Sequence, residues 1–277
     1  MMGKCIPSWK ENETPYYHFT SLETLYKILA SGKIRLTACN NSKNISVEIM
    51  ALEAVINSCS KEEKENLCEQ LSCGDDELIQ KFIECREKSY MLCFTTDKNS
   101  NCGVNNDYLW KYYADHGKGV AIEFDYKTFP YKMHGLSKTR PNENSILQRD
   151  SRFRIFRMLY DEKRFKKRIR EWAEMHDLFT DSYKPNFCSF EEEIRFIVFL
   201  NEISDHRKLE HTDDYDDIRR ITVQEYNTDN RPIYLYYDVV SENNKSAIKK
   251  VFCRDKDTYK KLQKIFKDKG LYELLKA

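Results

Sequence analysis

Apolar and polar positions change period several times along the chain, and each change marks a predicted element. Residues 16–20, Tyr-Tyr-His-Phe-Thr, are aromatic and β-branched and predict a short strand. Ser21 offers a helix cap, and Leu22, Leu25, Ile28 and Leu29 recur at helical spacing up to Gly32, a residue suited to a left-handed helix end. Residues 33–37 alternate as a second strand, and the polar stretch 39–46 predicts an exposed loop. From 47 to 88 the composition is helical, with a break at Ser72-Cys73-Gly74-Asp75-Asp76, which predicts two helices as an insertion or extra layer. The compact run 90–95, YMLCFT, reads as a buried strand. Asn106 or Asp107 caps a helix through Tyr108, Leu109, Trp110, Tyr112 and Tyr113 that Gly117 ends, and 119–125 alternates as a strand. Further strands are predicted at 152–160, 192–200, 233–240 and 247–252, with helices at 162–178 and 255–271. Strands and helices do not alternate strictly. The order predicts a single α+β domain over 16–277, a mixed, mostly antiparallel sheet core with flanking helices, after a polar lead-in at 1–15.

Composition narrows the function classes. With 46 Lys plus Arg against 45 Asp plus Glu, the chain does not bind polyanions by bulk charge. No run of 18 apolar residues occurs and the first residues lack a signal-peptide core, so a cytoplasmic protein without a membrane partner is expected. The 10 cysteines include no C-x-x-C pair, and neither His206 nor His211 has a cysteine within ten residues. Free thiols and no metal are expected. Phosphate-loop, dinucleotide-fingerprint, H-E-x-x-H and nucleophile-elbow motifs are all missing.

Residues 152–170 hold nine Lys or Arg against Asp161 and Glu162, a pattern that can hold phosphates. The segment 202–217 holds seven acids and can simply pair with it across the surface. Three features fall in or beside predicted core strands. His18 can donate to a sugar hydroxyl, or can be a half-buried histidine satisfied by backbone. Trp110, Tyr112 and Tyr113 can serve the core, or turn a ring toward a flat heterocycle. Strand alternation places Glu191, Glu193 and Arg195 on one face, either as a structural ion pair or as a catalytic carboxylate with its positioning cation.

The motifs Tyr17-His18-Phe19-Thr20-Ser21, Cys93-Phe94-Thr95, the block W-x-x-Y-A-x-x-x-x-G-V-x-I-x-F-D beginning at Trp110, and E-x-E-x-R at Glu191 to Arg195 occur in this order. In that order the chain resembles a bacterial family catalogued as domain of unknown function 2971, over about residues 16–271. It departs from the family at 40–48, where NNSKNISVE stands in place of an Asn-Asp-Pro-Phe-Glu turn. The sequence of histidine, aromatic and late glutamate is similar in layout to the ADP-ribosyltransferase superfamily, especially its toxin and defence branches. That resemblance implies an NAD-consuming transferase or NAD glycohydrolase in bacterial conflict, defence or stress, with NAD as substrate and a nucleic acid, a protein or water as acceptor. It implies Glu193 as the catalytic carboxylate, Glu191 orienting the acceptor, and Arg195 positioning Glu193. His18 and Thr20 would hold the adenosine-side ribose and phosphate, Tyr113 or Trp110 would stack on nicotinamide, and Thr95 would complete the cofactor site. The alternative is a non-catalytic nucleotide- or nucleic-acid-binding module using 152–170.

Overall fold

The computed structural model describes residues 15–41, 45–96, 103–125, 151–167, 183–200, 221–223, 233–239, 246–269 and 275–276. The fold is α+β. Its described strands are β1 (Tyr16–Thr20), β2 (Lys33–Ala38), β3 (Ser89–Thr96), β4 (Val120–Phe124), β5 (Ser151–Arg157), β6 (Glu193–Leu200), β7 (Ile221–Val223), β8 (Tyr234–Asp238), β9 (Ile248–Phe252) and β10 (Leu275–Lys276). They form one sheet in the order β10-β9-β4-β1-β3-β2-β8-β7, with β6 paired to β3 and β5 to β6. All these pairings are antiparallel except β9 with β10.

One strand organises the site. β3 pairs along its length with β6, from Ser89↔Phe199 to Thr95↔Glu193. On its other edge it meets two strands end to end: β1 through Tyr16↔Thr96 and Tyr17↔Thr95, and β2 through Thr37↔Met91 and Ala38↔Tyr90. Residues 92–94 of β3 pair with neither. There β1 leaves to run with β4 and β2 leaves to run with β8, so the sheet splits.

Side-chain alternation gives the sheet two faces. Ile34, Leu36, Leu92, Phe94, Ile194, Phe196, Leu235 and Tyr237 pack on the first, beneath α1 (Leu22–Ser31) and α6 (Lys256–Asp268). α1 forms as its sequence dictates: the Ser21 hydroxyl accepts from the Thr24 N–H at 3.2 Å, and Gly32 closes the helix at φ 69°. On the second face, α5 (Asp107–Tyr113) sets Leu109 and Trp110 against Tyr17, Phe19 and Ala121. A layer of α2 (Ile45–Asn57), α3 (Lys61–Leu71) and α4 (Leu78–Glu87) has its own core of Leu52, Val55, Ile56, Leu67, Leu78 and Phe82. A slot remains between α5 and this layer.

Several boundaries differ from the pattern-based expectation. The polar stretch 39–46 is not a plain exposed loop: Cys39 is buried with Met91 and Ile197, and α2 already begins at Ile45. The 47–88 region holds three helices, because Ser60 and Glu63 form a reciprocal capping box that starts α3. The helix predicted to run to Gly117 ends at Tyr113; Asp115 and His116 adopt φ 47° and 53° in a following 3-10 turn. The strand predicted over 152–160 ends at Arg157. The two-residue β10 and three-residue β7 carry too little pattern to be foreseen. The predicted helix residues 168–178 and 270–271, the predicted loop residues 42–44, the predicted strand residue 240, most of the lead-in 1–15 and the acidic segment 202–217 with His206 and His211 lie outside the described residues.

Gly119 shows how tightly α5 is fastened to β1. A Cβ there would meet the Thr20 carbonyl oxygen at 2.3 Å and the Ala114 carbonyl carbon at 2.7 Å, both backbone atoms. Neither can move without separating the strand from the turn. Gly119→Ala is expected to cost roughly 1–3 kcal/mol, read as a lower urea midpoint at an unchanged slope; an unaltered midpoint would contradict this packing.

Candidate functional site

The slot is a cavity of about 770 Å³ over the split, within the usual range for a small-molecule site. His18, Thr20, Thr95, Tyr113, Glu191, Glu193 and Arg195 all line it, though they come from β1, β3, α5, a turn and β6. Trp110 does not. Its indole N–H donates to the Val104 carbonyl at 2.7 Å, its ring meets Phe19 edge-on at 5.2 Å, and the Arg254 guanidinium covers it at 5.0 Å. A ring held this way belongs to the core beneath α5, and of the two candidate rings Tyr113 is the one that lines the slot.

His18 sits at the split. Its Nδ1–H donates to the Cys93 carbonyl at 2.9 Å, in the gap where β1 no longer pairs with β3. Burial lowers the imidazole pKa more than this bond raises it, so the ring is neutral at pH 7. With Nδ1 protonated, Nε2 keeps its lone pair. Toward a sugar hydroxyl His18 therefore acts as an acceptor, not as the donor its sequence context suggested.

The carboxylates arrive by two routes. Glu193 is the first residue of β6, its N–H donating to the Tyr160 hydroxyl oxygen at 3.0 Å. Glu191 is not on the strand: it closes the 3-10 turn Asn186–Glu191, and Glu192 follows in the left-handed region at φ 44°. Simple alternation therefore fails for Glu191, yet the kink still turns it into the slot. Thr95 Oγ1 donates to the Glu191 carbonyl at 2.8 Å, and Asn106, which caps α5, donates to the Phe190 carbonyl at 2.9 Å. Both bonds fix the turn to the sheet and to α5.

Behind the slot these groups join a buried ionic cluster with Glu48 of α2, Arg86 of α4 and Lys184. Arg195 donates from Nε to Glu193 at 2.8 Å and from Nη1 to Glu48 at 3.1 Å. Arg86 reaches Glu48 at 2.7 Å. Lys184 bridges Glu191 at 2.5 Å and Glu193 at 2.6 Å. Every member is 5% exposed or less. Three anions and three cations share the space, which makes burial tolerable.

Their proton affinities separate. Burial opposes charge on Glu193, but Arg195 and Lys184 outweigh it and hold the carboxyl well below the usual carboxylate range. For Glu191 burial wins over Lys184, Glu193's charge adds to it, and the pKa rises. Its Oε1 accepts from the Tyr113 hydroxyl at 2.9 Å, and burial and Glu191 together push that phenol up. Glu193 is thus held as the anion, and Glu191 has the higher proton affinity of the pair.

The same shifts fix a pH response. Glu193 and Glu48 have folded pKa values below their unfolded value of about 4.3, so their contribution to stability is present above that pH and lost as pH falls through the folded values. Glu191 works in the opposite sense, gaining relief on protonation. Two depressed groups against one raised group predict a melting temperature that declines below about pH 4.3. A rise in melting temperature on acidification below that point would contradict charged pairing of Glu48 and Glu193.

Sequence reasoning missed Glu48, Lys184 and Arg86. Glu48 stands in the first turn of α2, where an acidic residue gives no local sign of burial. Lys184 stands in an aperiodic stretch with no local signal. Of the basic stretch, Phe165 is buried and stacks on Tyr183 at 4.3 Å, and Lys166 pairs with Glu162 at 3.2 Å. Residues 168–170 and the side chains of 151–157 lie outside the description. Among the described residues no group of His, Cys, Asp and Glu is arranged for a metal ion, and no helix is long and apolar enough to cross a membrane. Comparison with protein-family models, with curated proteins and with solved structures returns no match.

Proposed function

We propose that the chain is an NAD-consuming enzyme of ADP-ribosyltransferase type, a transferase or an NAD glycohydrolase, in keeping with the order of its histidine, aromatic and late glutamate residues. The observation that carries this reading is the meeting of His18 and two unequal carboxylates, Glu191 and Glu193, in one cavity over a split sheet. Cleaving the bond between nicotinamide and ribose builds positive charge on the ribose. A fixed anion such as Glu193 stabilises that charge, and preorganisation by Arg195 and Lys184 means that little rearrangement is needed as it develops. His18 accepts from a ribose hydroxyl at Nε2. Tyr113 offers its ring to the nicotinamide.

Glu191 serves the second half of the reaction. A carboxylate with a raised pKa takes a proton from the incoming nucleophile, a water or an acceptor hydroxyl or amine, as the new bond to ribose forms. Tyr108, Tyr112 and Phe190 expose their rings beside this turn, with Tyr108 centroids 4.1 Å from Tyr112 and 4.2 Å from Phe190. Such a rim suits an acceptor larger than water. The test is nicotinamide release from NAD by purified protein, alone and with RNA, DNA or protein as acceptor. Release by the wild type that Glu193→Gln abolishes supports the reading; a wild type that releases none, and shows no thermal shift with NAD, overturns it.

A further inference from the structure

The two lips of the split carry different chemistry, and only one has been given a role. β1 contributes His18. β2 contributes Arg35, which pairs across to β8 at Tyr236, with Thr37 opposite Tyr234. Thr37 also opposes Met91 of β3, so a continuous β2–β3 ladder would bring Arg35 opposite Cys93. The ladder stops at Thr37, and Cys93 instead offers its carbonyl to His18. Arg35 therefore stands across the gap from His18, on the wall of the same cavity.

The cations of that cavity are not equivalent. Lys184 and Arg195 are buried and already committed to Glu48, Glu191 and Glu193. A phosphate could claim them only by displacing a carboxylate from the cluster. Arg35 is exposed, and among the described residues it has no carboxylate partner. Its guanidinium lies over the Tyr234 ring at 4.2 Å, which orients the planar fork without neutralising it. Lys111, the other exposed lysine or arginine on the wall, sits 5.1 Å from the Tyr112 ring on the opposite side and is a point charge. A pre-oriented guanidinium is the better match for two phosphate oxygens.

We propose that Arg35, held on Tyr234, is the diphosphate-binding residue of the slot, so that the cavity selects nucleoside diphosphates and dinucleotides over nucleosides. This rests on the NAD reading for its biological ligand, but ADP alone suffices as a probe. His18 then takes a ribose hydroxyl from one lip while Arg35 takes the diphosphate from the other, and the reacting ribose bond is left toward Glu193.

The experiment is a calorimetric titration of the full chain with ADP and with adenosine, for wild type, Arg35→Ala and Arg35→Lys. The wild type is expected to bind ADP more tightly than adenosine. In Arg35→Ala, ADP binding should weaken roughly 10- to 100-fold while adenosine binding is unchanged, and Arg35→Lys should recover part of the loss. Equal weakening of ADP and adenosine would show a structural role only and overturn the assignment. So would ADP binding indifferent to Arg35, or a wild type that does not bind ADP. Nicotinamide release measured in parallel separates the two ideas: Arg35-dependent ADP binding without NAD cleavage leaves the diphosphate site standing and removes the enzyme, and NAD cleavage indifferent to Arg35 does the reverse.

Discussion

Glu193→Gln is expected to lower nicotinamide release from NAD about 100- to 1000-fold, the usual consequence of losing one preorganised electrostatic contact to a transition state. Gln keeps the shape and can still accept from the Arg195 Nε–H, so what is removed is the charge that faces the developing cation. The effect should fall on kcat, with KM for NAD little changed, because the positive charge on the ribose carbon that Glu193 would face develops only in the transition state. Glu191→Gln should behave differently: cleavage of NAD persists at a reduced rate, and transfer to an acceptor is the step lost. A purified Glu193→Gln protein, folded by circular dichroism and within tenfold of wild-type release, would remove Glu193 from the mechanism. Equal losses in the two variants would mean that the unequal proton affinities of the pair have no catalytic meaning.

The second large effect is on stability. Lys184 Nζ lies between Glu191 and Glu193 with its side chain 4% exposed, and both carboxylates pull its pKa up against the burial that lowers it. Lys184→Met leaves two buried carboxylates facing each other with only Arg195 to balance them, and breaking a buried pair in this way costs about 3–5 kcal/mol. Urea unfolding should show the midpoint shift. The double variant Lys184→Met with Glu191→Gln removes an anion along with the cation, so it should recover part of the loss, and the difference between the single and double variants measures the coupling. If the single variant unfolded at the wild-type midpoint, the cluster would be solvated and the assignment of permanent charge to Glu193 would fall with it.

The cluster also explains why a helical layer is inserted ahead of β3. Glu48 and Arg86 come from α2 and α4, and they hold the guanidinium that in turn holds Glu193. Without that layer Arg195 would have one carboxylate partner in place of two.

Local pattern carried much of this architecture. The strand, helix and strand from Tyr16 to Ala38, the buried β3, the strand β4 and the strand β6 were all legible, because each depends on periodicity and on a few end residues such as Ser21, Gly32 and Asn106 whose effects are local. Candidate chemistry was legible where it stood on such elements, as with His18 on β1 and Glu193 and Arg195 on β6. The chain order of these residues pointed to one site without proving that they meet.

Only the tertiary structure decided how they meet. That β1 and β2 share one edge of β3 and part at Leu92 to Phe94 depends on strand pairings across more than 50 residues of chain, which no local period encodes. The same holds for the delivery of Glu48 to Arg195 and of Lys184 to Glu48, and for the withdrawal of Trp110 into the core, since a helix offers several faces and packing against Phe19 and Arg254 chose among them. Glu191 illustrates the limit most directly. Its residue type and neighbourhood mark it as a candidate, but the left-handed turn at Glu192 and the balance between burial and Lys184 set its direction and its proton affinity, and both are properties of the folded surroundings.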